Sequence, residues 1–219
     1  MKMLLSITTI LLFISCNNFS KTENTTIQPP EKSKINVIKL ADSFGTVSIS
    51  LPLRYDTNFS WTHHSDCGSP CDKIKYRFQP KSLPIIEENG WMWSDLKDSI
   101  ERFTIVHSAY VYPFNPNSDT AYLRKQHAKK KAELLIEANS YKIKSDTIEK
   151  IDDYYFSIFL IDLYDSTKLQ YSKKVLAGTY IKNNSVEFNF ELLTKQKDSL
   201  KDKFLDNSLY FLKTIRIEN

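Results

Sequence analysis

Glycine is scarce in this 219-residue chain, and the few glycines lie far apart. There are 4 glycines, and none has another within three positions. A phosphate-binding loop needs several glycines close together, because its backbone must approach the phosphate closely. The sequence therefore argues against P-loop and dinucleotide-binding chemistry.

The chain also lacks a strong excess of one charge. Lys and Arg total 30, Asp and Glu total 26, and the formal net charge is +4. Nucleic-acid-binding domains usually carry a larger and clustered positive excess. We therefore expect no nucleic-acid partner.

Long apolar runs are missing beyond the N-terminal region. The most apolar later segment, residues 154–163, is short and contains Ser157 and Asp162, whereas a membrane-spanning helix needs about 20 apolar residues. The composition, 41% hydrophobic and 26% charged, is that of a globular protein and excludes collagen and multi-span membrane classes. We expect residues 35–219 to fold as one domain.

The N-terminal residues 1–15 are typical of an export signal. Lys2 is followed by a short apolar segment, residues 4–14, which ends in Phe13-Ile14-Ser15-Cys16. This ending resembles the lipobox of bacterial lipoproteins, in which the cysteine is lipidated and becomes the first mature residue. Phe13 departs from the usual leucine. An ordinary signal peptide cleaved nearby, or an uncleaved anchor, is the alternative interpretation.

Residues 16–34 are expected to form a lipidated cysteine and a flexible tether. The stretch is rich in Asn, Thr, Lys and Glu and has few apolar residues, so burial cannot offset the entropy of ordering it. Palmitate and a second acyl chain on Cys16 would anchor the domain stably. We expect a cell-envelope location on the periplasmic face, at the outer rather than the inner membrane.

Apolar periodicity predicts strands, two helices and short connections in residues 35–219. Alternation at Val47, Ile49 and Leu51 predicts a half-buried strand. Ser118 or Asp119 is a candidate helix cap, and the helix is expected to turn a face of small residues inward, namely Ala121, Ala128, Ala132 and Leu135. Strands are predicted at 35–40, 47–51, 73–79, 102–112, 141–148, 153–163, 169–182, 186–193 and 214–218, and helices at 118–138 and 198–213.

The segment 154–161 predicts the layering. It is apolar on both faces, whereas a sheet with one wet face would alternate. Two helices are available to cover these faces, and the strand connections are short. We therefore predict an α+β fold, an α/β/α sandwich with a mostly antiparallel central sheet.

Two segments have patterns of residue types that are found together in a known family. Residues 44–52, Phe-Gly-Thr-Val-Ser-Ile-Ser-Leu-Pro, resemble the opening strand of the PsbP/Mog1-like superfamily. Residues 186–193, the helix after them and 212–217 are similar to its ending, in which a strand leads into a helix and a short last strand. The resemblance implies a non-enzymatic binding or assembly role. The predicted 118–138 helix and the Cys67 loop do not map onto the family.

The densest cluster of reactive side chains lies at residues 63–71. Cys67 and Cys71 are four positions apart, and outside the cytoplasm we expect them to form a disulfide. The alternative is a zinc or copper site, or a thiol-redox pair, that uses His63, His64, Cys67 and Cys71. If the segment is extended, the two adjacent histidines point to opposite sides, so only one joins such a site easily.

Two further groups are candidate contact surfaces. The basic run in the first predicted helix could attract anionic lipid headgroups or an acidic partner, although a solvated outer face is the simpler interpretation. Trp91 and Trp93 could form a partner platform or cover the core under a long loop. The basic residues concerned are Arg124, Lys125, Lys129, Lys130 and Lys131.

The sequence contains no recognisable catalytic motif, since no serine has the glycine context of a nucleophile elbow. We expect no enzyme activity, no cofactor and no catalytic residue. The leading hypothesis is a membrane-anchored lipoprotein that binds an envelope protein or other envelope component. A metal or thiol-redox accessory protein and an immunity-type lipoprotein that neutralises a toxin are the alternatives.

Overall fold

The structure is a computed structural model that describes residues 29–41, 44–68, 71–85, 99–110, 120–136, 141–182, 184–195 and 199–218. Cys16, the leader, most of the tether, Trp91 and Trp93 lie outside these ranges. The elements are β1 (Ser33–Leu40), β2 (Gly45–Pro52), β3 (Thr57–His63), β4 (Lys73–Gln79), β5 (Ile100–Ser108), α1 (Thr120–Ile136), β6 (Tyr141–Ile151), β7 (Tyr154–Asp165), β8 (Gln170–Ile181), β9 (Asn184–Thr194), α2 (Ser199–Leu212) and β10 (Arg216–Glu218).

The strands form two antiparallel sheets. The larger has seven strands in the order β3-β4-β5-β9-β8-β7-β6, and the smaller has three in the order β1-β2-β10. Two-residue turns join β6 to β7 and β8 to β9, and Asp152 and Lys182 in these turns have positive φ angles of 55° and 46°. Such turns match the right-handed twist of the strands they join.

Burial on β7 confirms the predicted layering. Phe156, Ile158 and Leu160 belong to the main core, whereas Phe159 and Ile161 form a second cluster with Leu134 of α1. Successive side chains of a strand alternate between faces, so α1 covers one face of the sheet. On the other face, α2 and the small sheet pack together and contribute Phe204, Phe211 and Val47 among others to the main core.

Three details differ from the sequence-based expectation. The opening strands and the last strand form a separate small sheet, so one outer layer is part helix and part sheet. Strand β3 was not predicted, because it is an edge strand on which half-buried and exposed residues alternate and the apolar residues are few. The strand that was expected to run to residue 112 ends at Ser108, and Ala109 and Tyr110 lie outside it.

Neither α1 nor α2, the helices within the described ranges, has the length and apolar content that crossing a bilayer requires.

Candidate functional site

Helix α1 lies on the sheet through a narrow apolar contact. Leu123 and Leu134 are its buried residues, and Leu134 packs against Phe159 and Ile161 of β7. The expected inward face of small residues was wrong: Ala121, Ala128 and Ala132 are exposed, and Leu135 is 57% exposed. Leucine loses far more exposed apolar area on burial than alanine does, so the face with Leu123 and Leu134 contacts the sheet.

A groove runs between α1 and the uncovered part of the same sheet face. Its volume is 360 Å³, within the range of small-molecule sites. Helix α1 packs on β6 and β7, so the adjacent face of β8 and β9 forms the floor and the far wall. The groove is lined by Leu123, Gln126, His127, Lys129, Lys130, Glu133, Ser157, Phe159, Leu176, Ala177, Gly178, Thr179, Tyr180, Ser185, Glu187 and Asn189.

Strand register places three of these residues in one row across the sheet. Ser157 on β7 lies opposite Gly178 on β8, and Gly178 lies opposite Glu187 on β9. A Cβ built on Gly178 would meet no atom within 4 Å, and the residue does not have a positive φ angle. The missing side chain therefore leaves space in the groove and is not demanded by the backbone conformation.

The groove floor is built around His127. Its ring stacks on Phe159, with centroids 4.4 Å apart and planes 15° apart, and its Nδ1 lies 2.8 Å from Ser157 Oγ. Burial lowers the pKa of His127, and Lys131 lowers it further, against the opposing effect of Asp146. The pKa of Asp146 is lowered chiefly because Lys131 Nζ lies 2.6 Å from its carboxylate.

Ser157, His127 and Asp146 resemble a hydrolytic triad in composition, but their geometry favours a structural role. Asp146 lies 3.8 Å from His127 Nε2 and only 2.6 Å from Lys131 Nζ, so the lysine, not the imidazole, is its main partner. Ser157 lies in the middle of β7 and is paired with β6 and β8. A nucleophilic serine needs nearby hydrogen-bond donors that stabilise the developing oxyanion. The backbone N–H groups around Ser157 cannot serve as these donors, because they are used in pairing with β6 and β8.

Tyr180 lines the end of the groove next to Ser185. Its ring meets the edge of Tyr122 at 5.5 Å between centroids. Burial, and then the neighbouring Tyr122, raise the pKa of Tyr180 to about 12. The phenol is therefore a neutral hydrogen-bonding group at physiological pH.

The structure separates the predicted basic run into different environments. Arg124 and Lys125 are exposed and do not line the groove. Lys129 and Lys130 line it, and both lie near Glu133, at 3.9 and 3.7 Å. Lys131 is committed to Asp146. A lipid or acidic-partner role for this run stays a prediction.

The predicted cysteine cluster lies at the tip of the β3–β4 hairpin. Cys67 and Cys71 form a disulfide with a Cα–Cα distance of 5.9 Å, and Gly68 between them has a φ of 84°. Asp72 supports the loop, because its carboxylate accepts a 2.8 Å hydrogen bond from Ser65 N and lies 3.0 Å from His64 Nδ1. Hydrogen bonding from Ser65 and then His64 lowers the pKa of Asp72.

The bonded sulfurs are not available as thiolate ligands, and a metal site needs thiolates from these cysteines. Within the ranges given above, no group of three or more His, Cys, Asp or Glu side chains is placed to hold a metal ion. His63 and His64 sit at the edge strand β3, while α1 packs on β6 and β7 at the opposite edge of the sheet. The cysteine loop and the groove are therefore separate regions.

Sequence reasoning missed most of the groove. His127 lay within the basic run but was not selected, and Gln126, Ser157, Gly178, Glu187 and Asn189 carried no motif. One signal was present: Gly178 is the only glycine of the chain beyond residue 90, inside a segment with strand periodicity. An isolated strand glycine often marks a place where a ligand approaches the sheet closely.

Comparison with known proteins gives structural similarity alone. No protein-family profile and no curated protein matches the chain. Similar solved structures include the following three. Cyanobacterial PsbP (CyanoP) from Synechocystis sp. PCC 6803 is 7% identical, with a TM-score of 0.46 and 87% of this chain and 96% of that chain covered. LpqN, involved in cell envelope biogenesis of Mycobacterium tuberculosis, is 10% identical, with a TM-score of 0.40 and coverage of 86% and 93%. A protein from Bacteroides thetaiotaomicron is 12% identical, with a TM-score of 0.34 and coverage of 79% and 45%.

The strand order, the antiparallel pairing and the layers on the two faces of the large sheet establish the fold of this chain. The likenesses carry no statement about its ligand or partner.

Proposed function

We propose that this chain is an envelope lipoprotein whose domain binds a small polar molecule in the groove beside α1, without catalysis. The groove carries the proposal: Gly178 leaves its centre open, and polar side chains from α1, β7, β8 and β9 converge on that space. Concave sites with a few convergent polar groups are the usual form of small-molecule sites.

Binding fits the groove better than chemistry does. The serine and histidine on its floor are hydrogen-bonded to each other, and the nearby carboxylate is held by a lysine. A serine bonded to a histidine becomes a nucleophile only when a third group orients the histidine, and here Lys131 holds the candidate carboxylate, Asp146. Strand pairing on both sides of Ser157 also commits the backbone that would have to stabilise an oxyanion. The floor therefore serves as a rigid platform, and the hydrogen-bonding groups that remain lie on the two walls.

The envelope location rests on the sequence and is supported by the cysteine pair. A lipobox-like ending at Cys16 is followed by a tether-like stretch. The disulfide between Cys67 and Cys71 is of a kind that persists in oxidising compartments. Lipid attachment to Cys16 holds the domain beside a membrane, on the periplasmic face in our proposal, where it meets soluble envelope components.

Substitutions at Gly178 test the groove. Gly178→Ala adds one carbon to open space, and Gly178→Trp fills the groove, while the strand backbone accepts both. We expect a ligand found in a panel of dipeptides, sugars and nucleotides to bind the wild-type protein and Gly178→Ala equally and to lose binding to Gly178→Trp. Circular dichroism confirms that both variants fold. Equal binding to Gly178→Trp, or no binding by any panel member, contradicts the groove proposal.

Mass spectrometry tests the anchor. The full-length chain produced in a bacterium is expected to lose residues 1–15 and gain acyl chains at Cys16, and to partition into detergent. Cys16→Ala is the matched control and should remain unacylated. A wild-type protein with an unmodified Cys16 thiol would refute the lipoprotein assignment and leave the groove proposal standing.

A further inference from the structure

The sheet wall of the groove carries a single carboxylate. Glu187 is exposed on β9, and its one hydrogen bond within the described residues comes from the Asn189 amide, whose Nδ2 lies 3.3 Å from Oε2. No cation within those residues lies within ion-pair distance of it. A carboxylate that faces a groove with only an amide neighbour has room for a cationic hydrogen-bond donor.

The helix wall of the groove carries an excess of positive charge. Lys129 and Lys130 both approach the same carboxylate, that of Glu133, at 3.9 and 3.7 Å. One carboxylate cannot neutralise two ammonium groups, so this wall retains a positive surplus. Both contacts are long and exposed, and such pairs contribute little, so a ligand anion can replace them readily.

Neutral hydrogen-bonding groups accompany the charges on both walls. Gln126 on α1 and Asn189 on β9 each carry donors and acceptors, and the Ser185 hydroxyl can do either. Beside the Ser157–His127 pair, the floor presents the apolar side chains of Phe159 and Leu176. Amide side chains beside an apolar surface match a peptide group, which presents one N–H and one C=O.

We infer that the groove binds a peptide-like zwitterion, with its ammonium group at Glu187 and its carboxylate at Lys129 and Lys130. The inference rests on the proposed function, since it names the ligand class for the same groove. The four charged lining side chains sum to zero, so the groove favours a ligand that is neutral overall. Positive charge lies on the helix wall and negative charge on the sheet wall, so the groove favours a zwitterion over an uncharged polyol. The same arrangement fixes the direction in which the zwitterion lies.

The dipeptide alanylalanine is the probe, measured by titration calorimetry on the full folded domain at low salt. N-acetyl-alanylalanine lacks the ammonium group, and alanylalanine amide lacks the carboxylate. We expect each to bind about tenfold more weakly than the dipeptide, because each loses one charge-assisted hydrogen bond. Phosphoethanolamine, in which a phosphate replaces the carboxylate as in a lipid headgroup, is expected to bind more weakly than the dipeptide.

Two variants assign the ends of the ligand. Glu187→Gln should weaken alanylalanine about tenfold and leave the N-acetyl derivative unaffected, because that derivative has no ammonium to lose. Lys130→Gln should weaken alanylalanine and leave the amide unaffected. Lys125→Gln, on the same helix but outside the groove, and Glu218→Gln on β10 are matched controls that should bind as the wild type does.

The results separate this inference from the proposed function. Equal wild-type affinity for the dipeptide and its N-acetyl derivative, or tighter binding of phosphoethanolamine, overturns the peptide-like zwitterion. An uncharged sugar that binds in a Gly178-dependent manner, with no dipeptide binding, overturns this inference and supports the proposed function. Dipeptide binding that Gly178→Trp leaves intact overturns both.

Discussion

Adjacent leucines near the end of α1 give a sharp test of how this helix is held. Leu134 is 5% exposed and packs on Phe159 and Ile161, whereas Leu135 is 57% exposed. Helix α1 has 17 residues, and isolated helices of about this length are marginal in water. Its position therefore depends on the few side chains that it buries against β7.

Replacement by alanine should affect the two leucines very differently. Leu134→Ala removes buried carbons and leaves a cavity, which costs about 3 kcal/mol of the free energy of unfolding. For a domain of this size that lowers the melting temperature by roughly 6–12 °C. Leu135→Ala changes an exposed position and should stay within about 0.5 kcal/mol of the wild type.

Urea denaturation followed by circular dichroism measures both variants, and the pair share the same chemistry, helix and neighbourhood. A loss at Leu135→Ala as large as that at Leu134→Ala would refute the orientation of α1. It would also restore the small-residue face, in which Leu135 points inward. The groove would then have different lining residues, because Gln126 and Lys130 would turn away from the sheet.

The remaining predictions concern the hairpin loop and the histidine on the groove floor. Replacing both Cys67 and Cys71 by serine should lower the free energy of unfolding by about 2 kcal/mol or less, because the loop they close is short; a loss well above that in urea denaturation would show a larger structural role. For His127, burial lowers the folded-state pKa, so the unfolded chain binds a proton more readily. The stabilisation from neutral His127 is fully present above the unfolded pKa of about 6.5 and declines as the pH falls from there towards the folded pKa. His127→Gln should remove this part of the pH dependence of unfolding, measured by urea denaturation above and below about pH 6.5; a profile identical to that of the wild type would contradict the assignment.

The layering was predictable because one strand carries the signal on its own. Apolar residues at every position from Tyr154 to Ile161, except Ser157, require cover on both faces of β7, and the structure divides them between two clusters. The helix orientation was not predictable in the same way. Alanines spaced at helical intervals look like a packing face. Burial of Leu123 and Leu134 removes more apolar area from water, however, and so contributes more free energy. Periodicity alone does not show which of the two faces is favoured.

The groove was beyond sequence reasoning for a topological reason. Its residues come from segments 123–133, 157–159, 176–180 and 185–189, and only the strand order brings them together. Ser157 is the one polar residue within the apolar part of β7, and it marks where the floor changes from packing to hydrogen bonding. A single polar residue forms no motif with a recognisable spacing. In the sequence it therefore looks like a polar residue that the strand tolerates, and not like part of a binding site.

The groove exists only in the native register of β7, β8 and β9. Ser157, Gly178 and Glu187 share a face because β7, β8 and β9 pair at fixed offsets, and the turn between β8 and β9 has only two residues. A slip of one residue on β9 would exchange the faces of that strand and would place Glu187 in the core in exchange for Phe188, which is fully buried. Burial of Phe188 stabilises the native register and therefore also keeps the Glu187 carboxylate at the groove. The core residues of β9 thus determine the position of the sheet wall of the groove.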